Sequence, residues 1–310
     1  MKHIFKKTGI IVLIIIVTLS ILLISSKYIV ENVFFNPFKD YELTSGLYST
    51  VVQILSPSLT GTYISNNKTG ALNSFGCYSQ EFFLKKFSLI KDEYENANSG
   101  IFKYKFGNIS VENYKNNLNI SELTVKQDIF LVNNEKNSEL WNKINPNAYY
   151  EMWIGFDTPK TSLELYNKYK KYFDNSVSRS ENSGVIWIPV KTSDNIDDIC
   201  IGMTGNFSWH YFNFNKYYFT ENYYSWDLLE HETLFVNSLK FLTNHSRETE
   251  MFLKSGLFKN ADNIDISEKL EYIEKNGVSC LGMVLYGNGE FLSELKNDTS
   301  VNIVKITEQA

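Results

Sequence analysis

Three short strings are of the kind that acylating serine enzymes use: Ser88-Leu89-Ile90-Lys91, Ser193-Asp194-Asn195 and Lys68-Thr69-Gly70. In those enzymes the Lys-Thr-Gly string comes last; here it comes first, and Ser88 does not open a helix. Three-letter strings also arise readily in a chain rich in Ser, Lys and Asn, so no nucleophile is assigned. His231-Glu232-Thr233-Leu234-Phe235 begins as a zinc-binding H-E-x-x-H does, but Phe235 stands where the second imidazole is needed. His3, His210 and His245 are too scattered to cluster. No nucleophile elbow, dinucleotide turn or P-loop occurs, and the three glycines between Gly282 and Gly289 have the wrong spacing. The adjacent carboxylates Asp197 and Asp198 read as a solvated loop rather than a cleft. Catalytic residues, cofactor and metal are all expected to be absent: the chain reads as a non-enzyme.

Cys77, Cys200 and Cys280 are odd in number and widely spaced, without a C-x-x-C pair. One bridge could form outside the cell, and sequence does not choose among three pairings. Their apolar neighbours, as in Ile199-Cys200-Ile201, favour small buried side chains. The densest aromatic run lies between Phe207 and Trp226. Trp209, Tyr211, Tyr217, Tyr223 and Trp226 are its candidate ligand or partner surface, since such rings stack on sugars or fill a partner's pocket. The competing reading is a buried face, which the alternation Phe212-Asn213-Phe214 favours.

The elements that carry these residues start with an apolar run. Thr8 to Ser25 holds ~18 residues without a charge, ~27 Å as a helix, close to the thickness of a hydrocarbon core. Lys2, Lys6 and Lys7 precede it, which keeps residues 1–7 in the cytoplasm and sends the rest outward. No small-residue cleavage site follows, no cysteine appears before Cys77, and a core helix seldom stays apolar all round. An uncleaved signal anchor over residues 8–27 is the expectation, with the lipid bilayer as its partner. The net charge of −5 argues against a nucleic-acid partner.

Beyond the anchor about 280 residues remain, enough for one large domain or two smaller ones. Residues 28–140 form a first outer region. There Leu43, Leu47, Val51 and Ile54 mark a helix stopped by Pro57, and Phe102, Tyr104 and Phe106 share one face of a strand. Asn96 to Gly100 reads as a loop and Glu122 to Val132 as a second strand. The stretch from Asn133 to Asn147 has loop composition around one Trp and holds the boundary. In residues 141–310, Glu151 to Phe156 suits a strand. Pro159 opens a helix bearing Leu163, Tyr166, Tyr169 and Phe173. Gly184 to Val190 and Ile199 to Met203 read as strands. Leu228 to Leu242 makes a helix, Arg247 to Phe258 a short one, and Asp265 caps a helix that ends at Gly277. Val278 to Tyr286 is a strand, Phe291 to Leu295 a short helix and Ser300 to Ile306 a last strand. The fold class is α+β: an N-terminal transmembrane helix followed by two mixed α+β extracytoplasmic modules.

Three stretches of the second outer region stand out together: Met152-Trp153-Ile154-Gly155-Phe156-Asp157-Thr158-Pro159 with its helix, the strand Val185 to Val190 around Trp187, and the tail from Tyr272 to Ile306. On these stretches the region resembles the sigma factor regulator C-terminal domain of membrane-tethered anti-sigma factors in Gram-positive bacteria. Phe235 to Leu242 suits the family's preceding helix. Residues 1 to about 100 look like the partnered N-terminal domain. The resemblance implies an outer module that senses or binds something, signals through one helix and has no catalytic residues. Only Met1 to Lys7 precede the anchor, too few to fold around a sigma factor unless the start codon lies upstream. A sensor or accessory relative, working through a sigma-factor-linked membrane partner, is the first expectation. A module binding cell-wall glycan or peptide is the second, and a cell-surface hydrolase the third.

Overall fold

The computed structural model describes residues 12–26, 35–39, 41–57, 59, 61–65, 77–88, 93–106, 108–116, 124–131, 137–174, 183–204 and 228–309. Residues 12–26 form helix α1, ~22 Å long at 1.5 Å per residue. Among the described residues no helix is long and apolar enough to cross a membrane, and residues 8–11 and 27 of the expected span lie outside them.

Helix α2 (Tyr41–Leu55) starts as the Leu43-to-Ile54 periodicity requires, but it is buried on more than one face: every residue from Thr44 to Val52 is covered. It lies against a four-stranded antiparallel sheet of β1 (Gly61–Ile64), β2 (Cys77–Ser88), β3 (Glu93–Lys105) and β4 (Asn108–Asn116), in that order. The inner face presents Tyr78, Phe82, Leu84, Phe102 and Tyr104 to the helix by strand alternation. Phe82 and Phe102 stack at 4.3 Å, and Tyr48 of α2 meets both rings edge-on.

After α3 (Asp128–Leu131) and α4 (Asn137–Asn142), the chain enters β5 (Tyr149–Thr161), α5 (Ser162–Asp174), β6 (Gly184–Val190) and β7 (Ile201–Thr204). Next come α6 (Leu228–Asn244), α7 (Ser246–Leu253), α8 (Ile266–Asn276), β8 (Ser279–Asn288), α9 (Gly289–Ser293) and β9 (Val301–Gln309). Five antiparallel strands pair in the order β7-β6-β8-β5-β9. Met152, Ile154, Val185, Met283 and Leu285 face the main core, which also takes in α2 and the inner face of the first sheet. Trp153, Trp187, Leu281 and Tyr286 face a second core closed by Val125 and Phe130. Gly155 permits that closure, because a Cβ there would lie 2.1 Å from the Phe130 carbonyl oxygen.

The α+β class stands, and several local expectations are corrected. Asn96 to Gly100 is not a loop but part of β3. Ala97 and Asn98 are fully buried, and Gly100 leaves room for the Phe82 ring. In the described part of Glu122 to Val132, residues 124–131, there is no strand: Lys126 makes one isolated bridge to Ile199 and α3 follows. Phe106 does not share the face of Phe102 and Tyr104, because the strand ends at Lys105 and Phe106 turns outward at positive φ.

Pro159 does not open a helix. It lies within β5, where the register to β8 breaks between Gly155 and Lys160, so a missing N–H costs no ladder bond. The helix begins three residues later behind a capping box in which Thr161 N–H donates to Glu164 Oε2 (2.9 Å) and Glu164 N–H to Thr161 Oγ1 (3.3 Å). A non-helical Tyr169 (φ −117°, ψ 22°) then shifts the phase of α5. Leu163 is 55% exposed, while Leu165, Tyr169, Tyr172 and Phe173 are buried.

Asp298, in the turn before β9, fixes that kink. It accepts from Tyr169 OH (2.8 Å), Lys168 Nζ (2.9 Å), Ser300 Oγ (2.7 Å) and Ser300 N–H (3.0 Å). Partial burial alone would raise its carboxyl, but these donors together hold it down at about 2. A carboxylate lowered on folding stabilises the native state above its unfolded value, near 4, and loses that contribution as pH falls toward 2. Asp298→Asn is therefore expected to cost about 1 kcal/mol at pH 7, after allowance for solvent screening, and about nothing at pH 2. Urea unfolding at both pH values checks this.

Candidate functional site

The five aromatic candidates Trp209, Tyr211, Tyr217, Tyr223 and Trp226 lie outside the described residues, as does Lys68-Thr69-Gly70. Ser88 is the last residue of β2. Ser193, Asp194 and Asn195 belong to a strap over residues 191–200 and bond to neighbouring elements. Gln127 Nε2 donates to Ser193 Oγ (3.0 Å) and Asn195 O (3.1 Å), while Lys191 (2.7 Å) and Tyr272 OH (3.0 Å) hold Asp194. Those two donors keep the Asp194 carboxyl below the ordinary range. Asp197 and Asp198 have separate lysine neighbours, Lys126 at 2.9 Å and Lys269 at 4.0 Å. Burial lowers the Lys269 ammonium. These groups tie α8 and the segment before α3 to the strap.

Cys200 and Cys280 are buried free thiols, both pushed up to about 12 by burial, and Cys77 is free and half-buried. Such thiols pack as small apolar groups. Among the described residues no group of three or more His, Cys, Asp or Glu side chains could hold a metal ion.

One charged cluster escaped sequence reading. Glu151 of β5 is 3% exposed and points with Trp153 into the second core. Its carboxylate receives Lys86 Nζ from β2 (2.7 Å), Trp153 Nε1 (2.7 Å) and Tyr286 OH (3.2 Å). Burial, then the Glu151 charge, pushes the Tyr286 phenol well up, so it remains a donor. The lysine comes from one sheet and its acceptors and aromatic neighbours from the other. A lone charge within Glu151 to Phe156 is visible in the sequence, but its partner 65 residues away is not.

The two halves meet at two further points, each through a helix. Trp187 Nε1 donates to Gln53 O in the last turn of α2 (3.1 Å), and a Cβ at Gly202 would strike the Trp187 ring at 2.5 Å. Phe252 of α7 enters the aromatic core of the first sheet, 5.5 Å from Phe102 and 6.1 Å from Tyr48.

On the outside, an open groove of about 390 Å³ runs between the end of α6, the start of α7 and the N-terminus of α8. Leu242, Leu253, Ile264 and Ile266 line it with Glu250, Asp262 and Asp265. Asp265 is already committed as the α8 cap, accepting from Ser267 and Glu268 N–H at 2.8 and 3.2 Å. The groove offers contact surface rather than reaction chemistry.

Comparison with known proteins rests on the sheet that carries Glu151 and Trp187. Residues 141–308 match the model of the family described as Sigma factor regulator C-terminal, more than half of the chain. The chain belongs to the sigma factor regulator family. Over 162 residues it is also 22% identical to the probable anti-sigma-M factor YhdL of Bacillus subtilis (strain 168), covering 51% of this chain and 38% of that relative. It thus spans less than two thirds of that protein. No solved structure matches the chain. The three stretches that carry the resemblance to the sigma factor regulators fall on β5 with α5, on β6, and on α8 through β9.

Because Glu151 and Lys86 are both largely buried, removing one strands the other. Lys86→Met is expected to cost about 3 kcal/mol. The double variant Lys86→Met/Glu151→Gln is expected to recover more than half of that, since a neutral amide still accepts from Trp153 and Tyr286. Equilibrium unfolding of the parent chain, both single variants and the double variant checks the coupling.

Proposed function

We propose that this sigma factor regulator is a non-enzymatic, single-pass membrane protein. Its two outer regions, residues 28–140 and 141–310, sense an extracytoplasmic condition and pass it inward to a sigma-factor-linked membrane partner. The observation that carries the reading is helix α1 joined to a family-matched sheet. Its large apolar side chains, from Val12 to Ile24, are 49–69% exposed on all sides. Such a surface is costly in water at roughly 25 cal/mol per Å² and favourable in lipid. Its polar side chains suit lipid too: Thr18 and Ser20 hydroxyls each donate to the helix's own carbonyls, of Ile14 and Ile16, at 2.8 Å. Lys2, Lys6 and Lys7 orient the helix with its N-terminus in the cytoplasm.

A cell-wall glycan or peptide ligand is the second reading. Its support is the aromatic density from Phe207 to Trp226.

A reporter fused after Ala310 is expected to be active only outside the cell, and the chain to resist alkaline extraction from membranes. Crosslinking in intact membranes is expected to recover a membrane or sigma-linked partner. A reporter active only inside, or a chain released by alkali, overturns the topology; capture of wall material without any membrane partner favours the second reading.

A further inference from the structure

An ammonium and a carboxylate in hydrogen-bond contact are also the two components of an amide. Around Glu151 the contacts sort the two carboxylate oxygens. Oε2 receives Lys86 Nζ (2.7 Å) and Tyr286 OH (3.2 Å), while Oε1 receives Trp153 Nε1 (2.7 Å). The carboxyl carbon therefore lies one bond beyond the oxygen that the lysine touches. The Lys86 and Glu151 side chains are 15% and 4% exposed, so the bulk water that would drive an amide back to its parts is largely kept out. The walls are fixed as well. Phe130 stacks on Trp153 at 6.0 Å, Lys305 Nζ lies 4.8 Å from the centre of the Trp153 ring, and Lys86 Nζ lies 5.7 Å from that of Tyr286.

In water an amine and a carboxylate stay apart, because both ions are well solvated and the water released is already abundant. Burial reverses the first of these conditions, since each ion taken from water is penalised and a neutral amide carries neither charge. Fixed contact offsets the second. Well-oriented groups on one chain react as if at effective concentrations of up to about 10⁵–10⁸ M, far above that of water.

We propose that Lys86 and Glu151 condense to an intramolecular amide, a covalent bridge from β2 of the first sheet to β5 of the second. A proton first passes from Lys86 Nζ to Glu151 Oε2 along their hydrogen bond, leaving a neutral amine and a carboxylic acid. The nitrogen lone pair attacks the carboxyl carbon and forms the C–N bond, and the charge that develops on Oε1 is held by the Trp153 N–H. The nitrogen then gives its surplus proton to the Tyr286 hydroxyl, which passes its own to Oε2; the C–Oε2 bond breaks and Oε2 leaves as water. Ammonium and carboxylate become one amide and one water, with no oxidant and no net proton. The Tyr286 phenol suits the relay because burial, then the Glu151 charge, keeps it protonated. The ion pair described above is the unreacted form, and the stability comparison of Lys86→Met refers to that form. The bridge does not rest on the membrane reading of α1. It closes the chain between positions 65 residues apart and fixes one registration of the two sheets permanently.

Mass spectrometry of the full-length chain, extracted in detergent, denatured and then digested, tests this. The expected result is an intact mass lower by one water and a branched peptide joining the segment of Lys86 to that of Glu151. Trypsin is expected not to cut after Lys86, because the acylated nitrogen has lost its charge. Lys86→Arg keeps a charged donor beside Glu151 but offers no amine to acylate. Its chain is expected to hold the full mass and to give two separate peptides. Followed in newly synthesised chain, Tyr286→Phe is expected to slow the bridge about a hundredfold. Formation at the parent's rate would remove the phenol from the mechanism. Full mass and separate peptides in parent chain aged for days overturn the bridge, and so does a loss of water that persists in Lys86→Arg.

Discussion

The structure depends on a helix that cannot be half-exposed. From Thr44 to Val52 every residue of α2 is buried, including Thr44, Ser45, Ser49 and Thr50. Two of the hydroxyls on its covered faces bond to nearby backbone carbonyls. Thr50 Oγ1 returns its proton to Gly46 O (2.7 Å) and Thr44 Oγ1 to Pro37 O (3.3 Å). One face is then filled by the aromatic sheet and the other by β7, α6 and α7. Neither sheet can leave without exposing that helix.

This makes α2 the mechanical link in the proposed signalling. The chain that leaves α1 reaches the first sheet at Phe35 and Phe38, runs into α2, and through Gln53 and Tyr48 touches Trp187 and Phe252 of the family-matched half. The buried pair of Lys86 and Glu151 adds a charged tie at another point of the same junction. Buried ion pairs contribute little net stability but penalise wrong alignments heavily, since each misplaced charge is left without a partner. The junction is thereby suited to hold one registration of the two sheets.

Much of the second half was legible because its signals are local. Asp265 caps α8 and Gly277 ends it at φ +76°, while the continuous apolar runs of β6 and β8 read as strands buried on both faces. The first sheet was harder. Its β3 carries Asn96, Asn98 and Ser99, residues that turns also favour, and only contact with Phe82 explains Gly100. Pro159 misled because a register break inside β5 is set by pairing with β8, which composition does not show. The Lys86–Glu151 pair was illegible for the same reason, being a contact between elements far apart in sequence. The aromatic run from Phe207 to Trp226, prominent in the sequence, falls on residues the structure does not describe.

Hydrogen–deuterium exchange on the full-length chain and its Tyr48→Ala variant tests the shared core most directly. Tyr48 touches Phe82 and Phe102 on one side and Phe252 on the other. The expected result is that amides in β3 and in β6 to β8 lose protection together, because one helix supports both sheets. Loosening confined to β1 to β4, with the second sheet protected as in the parent chain, would contradict a common core and return the two halves to independent modules.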